Sequence, residues 1–179
     1  MAYPTVDKTY GFKAINRLDG LPYAGQTRLI PIAASYATAI LNGDTVQIDT
    51  TGFLVAKTTT NSGDSIGVLV GCQYVNSQGQ TVQGQYYPAA ASSAVAYVVD
   101  DQQALFKVAL VTAGTTTIVS STVGARSTLV GQNIALVQNT GSTITGDSAV
   151  GATVTGAGTT ATIPLRVIDV VPESAQVIS

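Results

Sequence analysis

Thr45-Val-Gln-Ile-Asp-Thr-Thr-Gly-Phe-Leu-Val-Ala-Lys57 is the stretch that decides the fold class. Val46 and Ile48 alternate with polar neighbours after the turn Asn42-Gly43-Asp44, Thr51-Gly52 supplies turn chemistry, and Phe53 to Lys57 resumes an apolar run. Alternation at period two on either side of a Gly-containing turn predicts a β-hairpin.

Working outward, the same texture recurs. Strands are predicted at Arg28–Ala33, with Pro31 confining that one to an edge or a bulge because it has no N–H for a ladder. Ile66–Val75 is a long strand whose two glycines predict a bulge or bend. Thr81–Tyr87 follows and ends at Pro88. Ala94–Val99 and Ala104–Val111 flank Asp100-Asp-Gln-Gln103 and read as a second hairpin-like pair. Thr116–Val119, Leu129–Val130 and Ile134–Val137 are shorter candidates. Ala149–Thr155 and Ala161–Val171 read as a final pair joined around Gly156-Ala-Gly158. Helical periodicity is almost absent, Glu occurs once, at Glu173, and Val and Thr, stiff at χ1 and suited to a pleated surface, outnumber Leu. The fold class predicted is all-β, a jelly-roll-like β-sandwich or a compact β-barrel.

Composition narrows function. The 179 residues are 45% hydrophobic, enough for a sizeable core, yet only 10% are charged, against about 25% in an average soluble domain. A net charge of −2 gives little repulsion between copies, which suits life inside an assembly. The eight Lys and Arg are spread from Lys8 to Arg166, so no basic patch awaits nucleic acid. No apolar run approaches bilayer length, and the polar start of the chain does not read as a secretory signal, so no membrane partner is expected.

Catalytic chemistry finds few materials. There is no His, which removes the commonest general base and every Ser-His-Asp or Cys-His arrangement. One Cys and no His make no closed zinc site. Phosphate-binding and EF-hand loops are missing. Asp100 and Asp101 are adjacent, so on a strand they point to opposite faces. No cofactor, metal or catalytic residue is expected. Cys72, inside Ile66-Gly-Val-Leu-Val-Gly-Cys72, reads as a buried small hydrophobe.

Residues 1–25 stand apart. They show no strand alternation, yet hold four of the eleven aromatic residues, together with Lys8, Lys13 and Arg17. Aromatic and Arg side chains anchor interfaces, so Tyr3, Tyr10, Phe12, Arg17, Tyr23 and Arg28 are the candidate partner-binding residues. Such a segment is either an interface arm or a loop packed on its own domain. The organisation predicted is an extended arm, residues 1–25, followed by one β-domain, residues 26–179.

Pro22-Tyr-Ala-Gly-Gln-Thr-Arg-Leu-Ile-Pro-Ile-Ala33, with Tyr36-Ala-Thr38 and Asn42-Gly-Asp-Thr-Val46, resembles small virion proteins of tailed bacteriophages, especially those of cyanobacteria and other aquatic bacteria. Gly67–Tyr74, Gln85–Ala89, Val95–Asp100, Leu105–Val108 and Ile163–Ile168 extend the likeness in order along most of the chain. The resemblance implies a capsid decoration, or cement, protein, assembled in the host cytoplasm and carried on the outer surface of the virion capsid. It implies homotrimers at threefold positions, with the major capsid protein as partner and no catalysis, and it carries over no individual contact residue. Competing classes are a phage tail or receptor-binding protein, a bacterial β-sandwich adhesin or pilus subunit, and a small hydrolase working through carboxylates alone.

Overall fold

A computed structural model describes residues 9–58, 64–111 and 128–171. Over them the chain is all-β, with eleven strands: β1 (Lys13–Arg17), β2 (Arg28–Ile32), β3 (Thr45–Ile48), β4 (Leu54–Ala56), β5 (Gly67–Val75), β6 (Thr81–Gly84), β7 (Ala94–Val99), β8 (Ala104–Lys107), β9 (Asn133–Val137), β10 (Gly151–Gly158) and β11 (Leu165–Arg166).

The predicted β3–β4 hairpin is present, with Val46, Gln47 and Ile48 opposite Ala56, Val55 and Leu54. Asp49 holds its turn: one carboxylate oxygen accepts from the backbone N–H groups of Thr51 and Phe53 and from the Thr51 hydroxyl. Gly52 takes φ +87°, which a side chain would resist. From this hairpin the sheet closes on itself. β4 meets β2 in parallel at Ile32, β2 runs antiparallel to β7, β7 to β5, and β5 returns to β3 at Thr45 and Val46. Of the two predicted forms, this is the compact barrel, five-stranded, with β6 attached to β5 outside the closed ring.

Alternation builds the barrel core. On β7, Ala94, Ala96 and Val98 are buried, and Ile32 and Ile30 of β2 stand opposite the two alanines, so large faces small and the interior fills. Val46, Leu54, Leu69 and Cys72 complete it, and Ile40 and Tyr87 pack against the same cluster. The Tyr87 hydroxyl, fully buried, donates to the Tyr36 carbonyl at 3.1 Å. Cys72 is buried as predicted; its Sγ lies 2.9 Å from the Tyr86 carbonyl, and burial pushes its thiol up to about 11. The bulge predicted in the long strand lies between Leu69 and Gly71. Before it, β5 closes the barrel against β3; after it, β5 carries β6.

A second layer packs beside the barrel. β1 pairs with β8, and β9 lies between β10 and β11. Its core is small: Phe12, Val68, Leu136 and Val150, with Phe106, Val108 and Leu165 against them. Residues 42–44 join it to the barrel. Gly43 N–H donates to the Leu69 carbonyl while Gly43 C=O accepts from Phe12 N–H, and Asn42 C=O accepts from Ser148 N–H. Gly11, at φ +71°, is packed so closely there that an added Cβ would stand 2.6 Å from the Ser148 Cβ.

Several expectations are corrected. Residues 12–17 belong to the fold: Phe12 is buried and Lys13–Arg17 form a strand, so the segment 1–25 is not an arm standing off the core over that part. The reason is that a strand with partial burial on both faces shows no alternation to read. β7 and β8 do not form a hairpin: β7 pairs with β2 and β5, and β8 with β1. The final pair is separated by β9, which both of its strands flank, and the second of them is reduced to Leu165–Arg166. Pro31 sits in an interior strand, tolerated because β2 meets β4 at Ile32 alone. Thr128 and Leu129 are helical rather than extended, and Thr116–Val119 lies outside the described residues.

Candidate functional site

The residues singled out by sequence divide sharply in the fold. Tyr3 lies outside the described residues. Phe12 is only 4% exposed and meets Phe106 edge to face, with ring centroids 6.2 Å apart, so it serves the core rather than a partner. Tyr10 is half-buried beside it in sequence, and burial raises its phenol above the usual value.

Arg17, Tyr23 and Arg28 do come together, and the adjacent aspartates after β7 explain how. Asp100 accepts from Arg28 Nε at 2.8 Å, and Asp101 stands 3.6 Å from Arg17 Nε. Asp100 and Asp101 lie just beyond the end of β7, and each pairs with one arginine. Arg17 also reaches Asp19 at 3.3 Å and the Gln103 side chain at 2.9 Å. Partly exposed pairs like these set geometry more than stability. Tyr23 spans the loop between them, its hydroxyl donating to the Gln26 carbonyl. Its phenol is raised, first by burial and then by the negative charges of Asp101 and Asp100.

A shallow open groove of about 290 Å³ lies here, lined by Arg17, Leu21, Pro22, Tyr23, Ala24, Gln26 and Asp101. Its cations are already matched by carboxylates, so what the region offers outward is apolar. Leu18, Leu21 and Leu29 are 61%, 57% and 62% exposed, and Ile15 is 46% exposed. Leu18 directly follows Arg17, whose backbone N–H donates to the Leu21 carbonyl, and Leu29 directly follows Arg28 on β2, its side chain on the strand face opposite to that of Arg28. Sequence reasoning chose the aromatics and arginines of this segment and missed the leucines. The signal available was Leu18, Leu21 and Leu29 set among polar and Gly residues, where no alternation placed them in a core.

Among the described residues no group of three or more His, Cys, Asp or Glu is placed to hold a metal ion. Asp44 is the most enclosed carboxylate of the joint between the layers. Burial raises it, while hydrogen bonds from Ser148 and from Leu41 N–H at 2.7 Å act the other way. It caps a turn and lies apart from the groove.

No family model, no curated protein and no solved structure matches this chain.

Proposed function

We propose that the protein decorates the outside of a tailed-phage capsid, bracing neighbouring major capsid protein subunits without catalysis, and that the end of the molecule built from residues 15–29 is the surface that meets the shell. One observation carries the proposal: Leu18, Leu21 and Leu29, each more than half exposed, are held on a scaffold whose arginines are already neutralised. Exposed leucines scattered singly need no explanation, but four large apolar side chains exposed within residues 15–29, with Leu21 among them lining the groove, fit an interface. Burying one such leucine contributes about 1.5–3 kcal/mol by area. Pairing of β1 with β8 and of β2 with β7 orders much of this surface beforehand, so binding loses less conformational entropy than a free arm would. A shell repeats the contact by symmetry, and modest single-site gains then multiply where all sites engage together.

The test uses shells assembled from the major capsid protein encoded with this chain. Wild-type protein should co-sediment with them, and the triple variant Leu18→Asp, Leu21→Asp, Leu29→Asp should lose at least a tenfold share of that affinity while keeping its β-type circular dichroism. Equal binding by the triple variant, or no binding by the wild type, rejects the proposal.

A further inference from the structure

We infer that β6 is a contact between two copies of this chain, pairing antiparallel with β6 of a second copy across a twofold axis. Among the described residues the outer edge of β6 is open in its hydrogen bonding. Asn76 N–H donates to the Gln80 carbonyl across the β5–β6 turn, while Val75 N–H turns the other way, to Ser93 on the β7 side. Ladder bonds alternate along an antiparallel pair, so Tyr74 and Val82 face each other with bonds, and Thr81 and Gln83 carry their N–H and C=O away from β5. Beyond β6 the sheet has no further strand among the described residues.

Natural edges are normally blunted by Lys, Pro or a bulge. β6, Thr-Val-Gln-Gly, has none of these. Moreover, no charged residue occurs between Asp64 and Asp100, which covers all of β5, β6 and β7. An edge meeting its own copy brings the residue at the axis opposite itself and its neighbours opposite one another, and an uncharged strand does so without repulsion. The occupant is therefore a second copy, because open backbone groups ask for an extended chain and the lack of charge suits an identical one.

The register follows from the outward groups. Thr81 faces Gln83 of the second copy, and Gln83 faces its Thr81, giving four backbone hydrogen bonds, with Val82 opposite Val82 at the axis. The contact closes at two copies, in place of the three that the resemblance implies for a shell threefold. It is short, so it forms at high local concentration, and it is independent of the capsid reading.

The test is self-association of the full chain by sedimentation equilibrium over a concentration series. The mass should rise reversibly from 18.2 kDa towards twice that value. Gln83→Pro removes an outward N–H and leaves the β5 ladder intact, so it should weaken association about tenfold or more without moving the melting temperature. Thr81→Lys should weaken it too, with recovery in salt. Val82→Cys should cross-link into a dimer on oxidation, since residues opposite each other at an unbonded position sit with Cα atoms about 4.5 Å apart. Gln80→Cys, off the axis, should not. A monomer at every concentration, association indifferent to both edge variants, a trimer, or equal cross-linking at positions 80 and 82 overturns the inference. Shell binding by Gln83→Pro at wild-type strength is expected, and it separates a failure here from a failure of the capsid proposal.

Discussion

In the barrel, each of the five strands has a neighbour on both sides, and Ile30, Ile32, Val46, Leu54, Leu69, Ala96 and Val98 point into one shared interior. In the layer beside it, strands pair in groups of two and three, and the core rests on Phe12, Val68, Leu136 and Val150. One of those four, Val68, is lent by the barrel strand β5. Closure lets a sheet dispense with edges and fixes interior residues such as Val46, Leu54 and Ala96 by two pairings at once. The open layer lacks that redundancy, so it depends on single side chains and on the joint at residues 42–44.

The largest expected effect lies in the barrel. Leu69 is fully buried at the bulge, and Leu69→Ala should lower unfolding free energy by about 4 kcal/mol, read by urea denaturation. Next comes Phe12→Ala, expected to cost about 3 kcal/mol, because a small cluster with fewer neighbours collapses more readily around the lost ring. Hydrogen exchange sharpens the contrast: in Phe12→Ala the amides of β1 and β8 should lose protection while those of β5 and β7 keep it. Equal loss in both regions would show that the two unfold as one unit.

The smallest effect is a pair of opposed pH dependences. Asp44, at the joint, has its carboxyl raised above 3.8, chiefly by burial. The folded chain therefore binds that proton more tightly than the unfolded one, and the site's contribution is full below 3.8 and lost as pH rises through the raised value. Asp49, in the exposed hairpin turn, is lowered, first by the Thr51 hydroxyl and then by Phe53 N–H. Its contribution is present above 3.8 and lost as pH falls through the lowered value. Carboxyl NMR titration should place Asp44 above 3.8 and Asp49 below it; Asp44→Asn should remove the first slope of stability against pH, and Asp49→Asn the second.

The two regions were also unequally legible. The β3–β4 hairpin, the bulged β5 and the burial of Cys72 are written in local alternation, turn residues and glycine placement, and these survive into the structure. Partner choice is not local. Asp100 to Gln103 makes a good turn, yet β8 leaves it to meet β1, and β7 is already flanked by β2 and β5. The N-terminal segment hid its strand because β1 breaks register between Ala14 and Asn16 and buries neither face cleanly. Phe12 reads as an anchor on residue type alone, whereas in the fold Gly11 before it closely approaches Ser148 and Phe12 is packed inside. For the groove, Arg17, Tyr23 and Arg28 were legible as a group, whereas their neutralisation by Asp100 and Asp101 depends on pairings across the fold.

The bulge between Leu69 and Gly71 gives β5 two phases along one strand. Side chains alternate with period two, and the extra residue Val70 lets Leu69 and Cys72, three apart, both face the interior opposite Val98 and Ala96; losing it would make the alternation continuous, with both still facing in, and would take the bend out of the strand. Residues 77–79, at the tip of the turn into β6, face no such accounting: a residue added or lost there alters a loop and leaves both ladders in place. Losing Val70 thus changes the bend of β5, whereas a change of length seven residues later, at the tip, changes a loop alone.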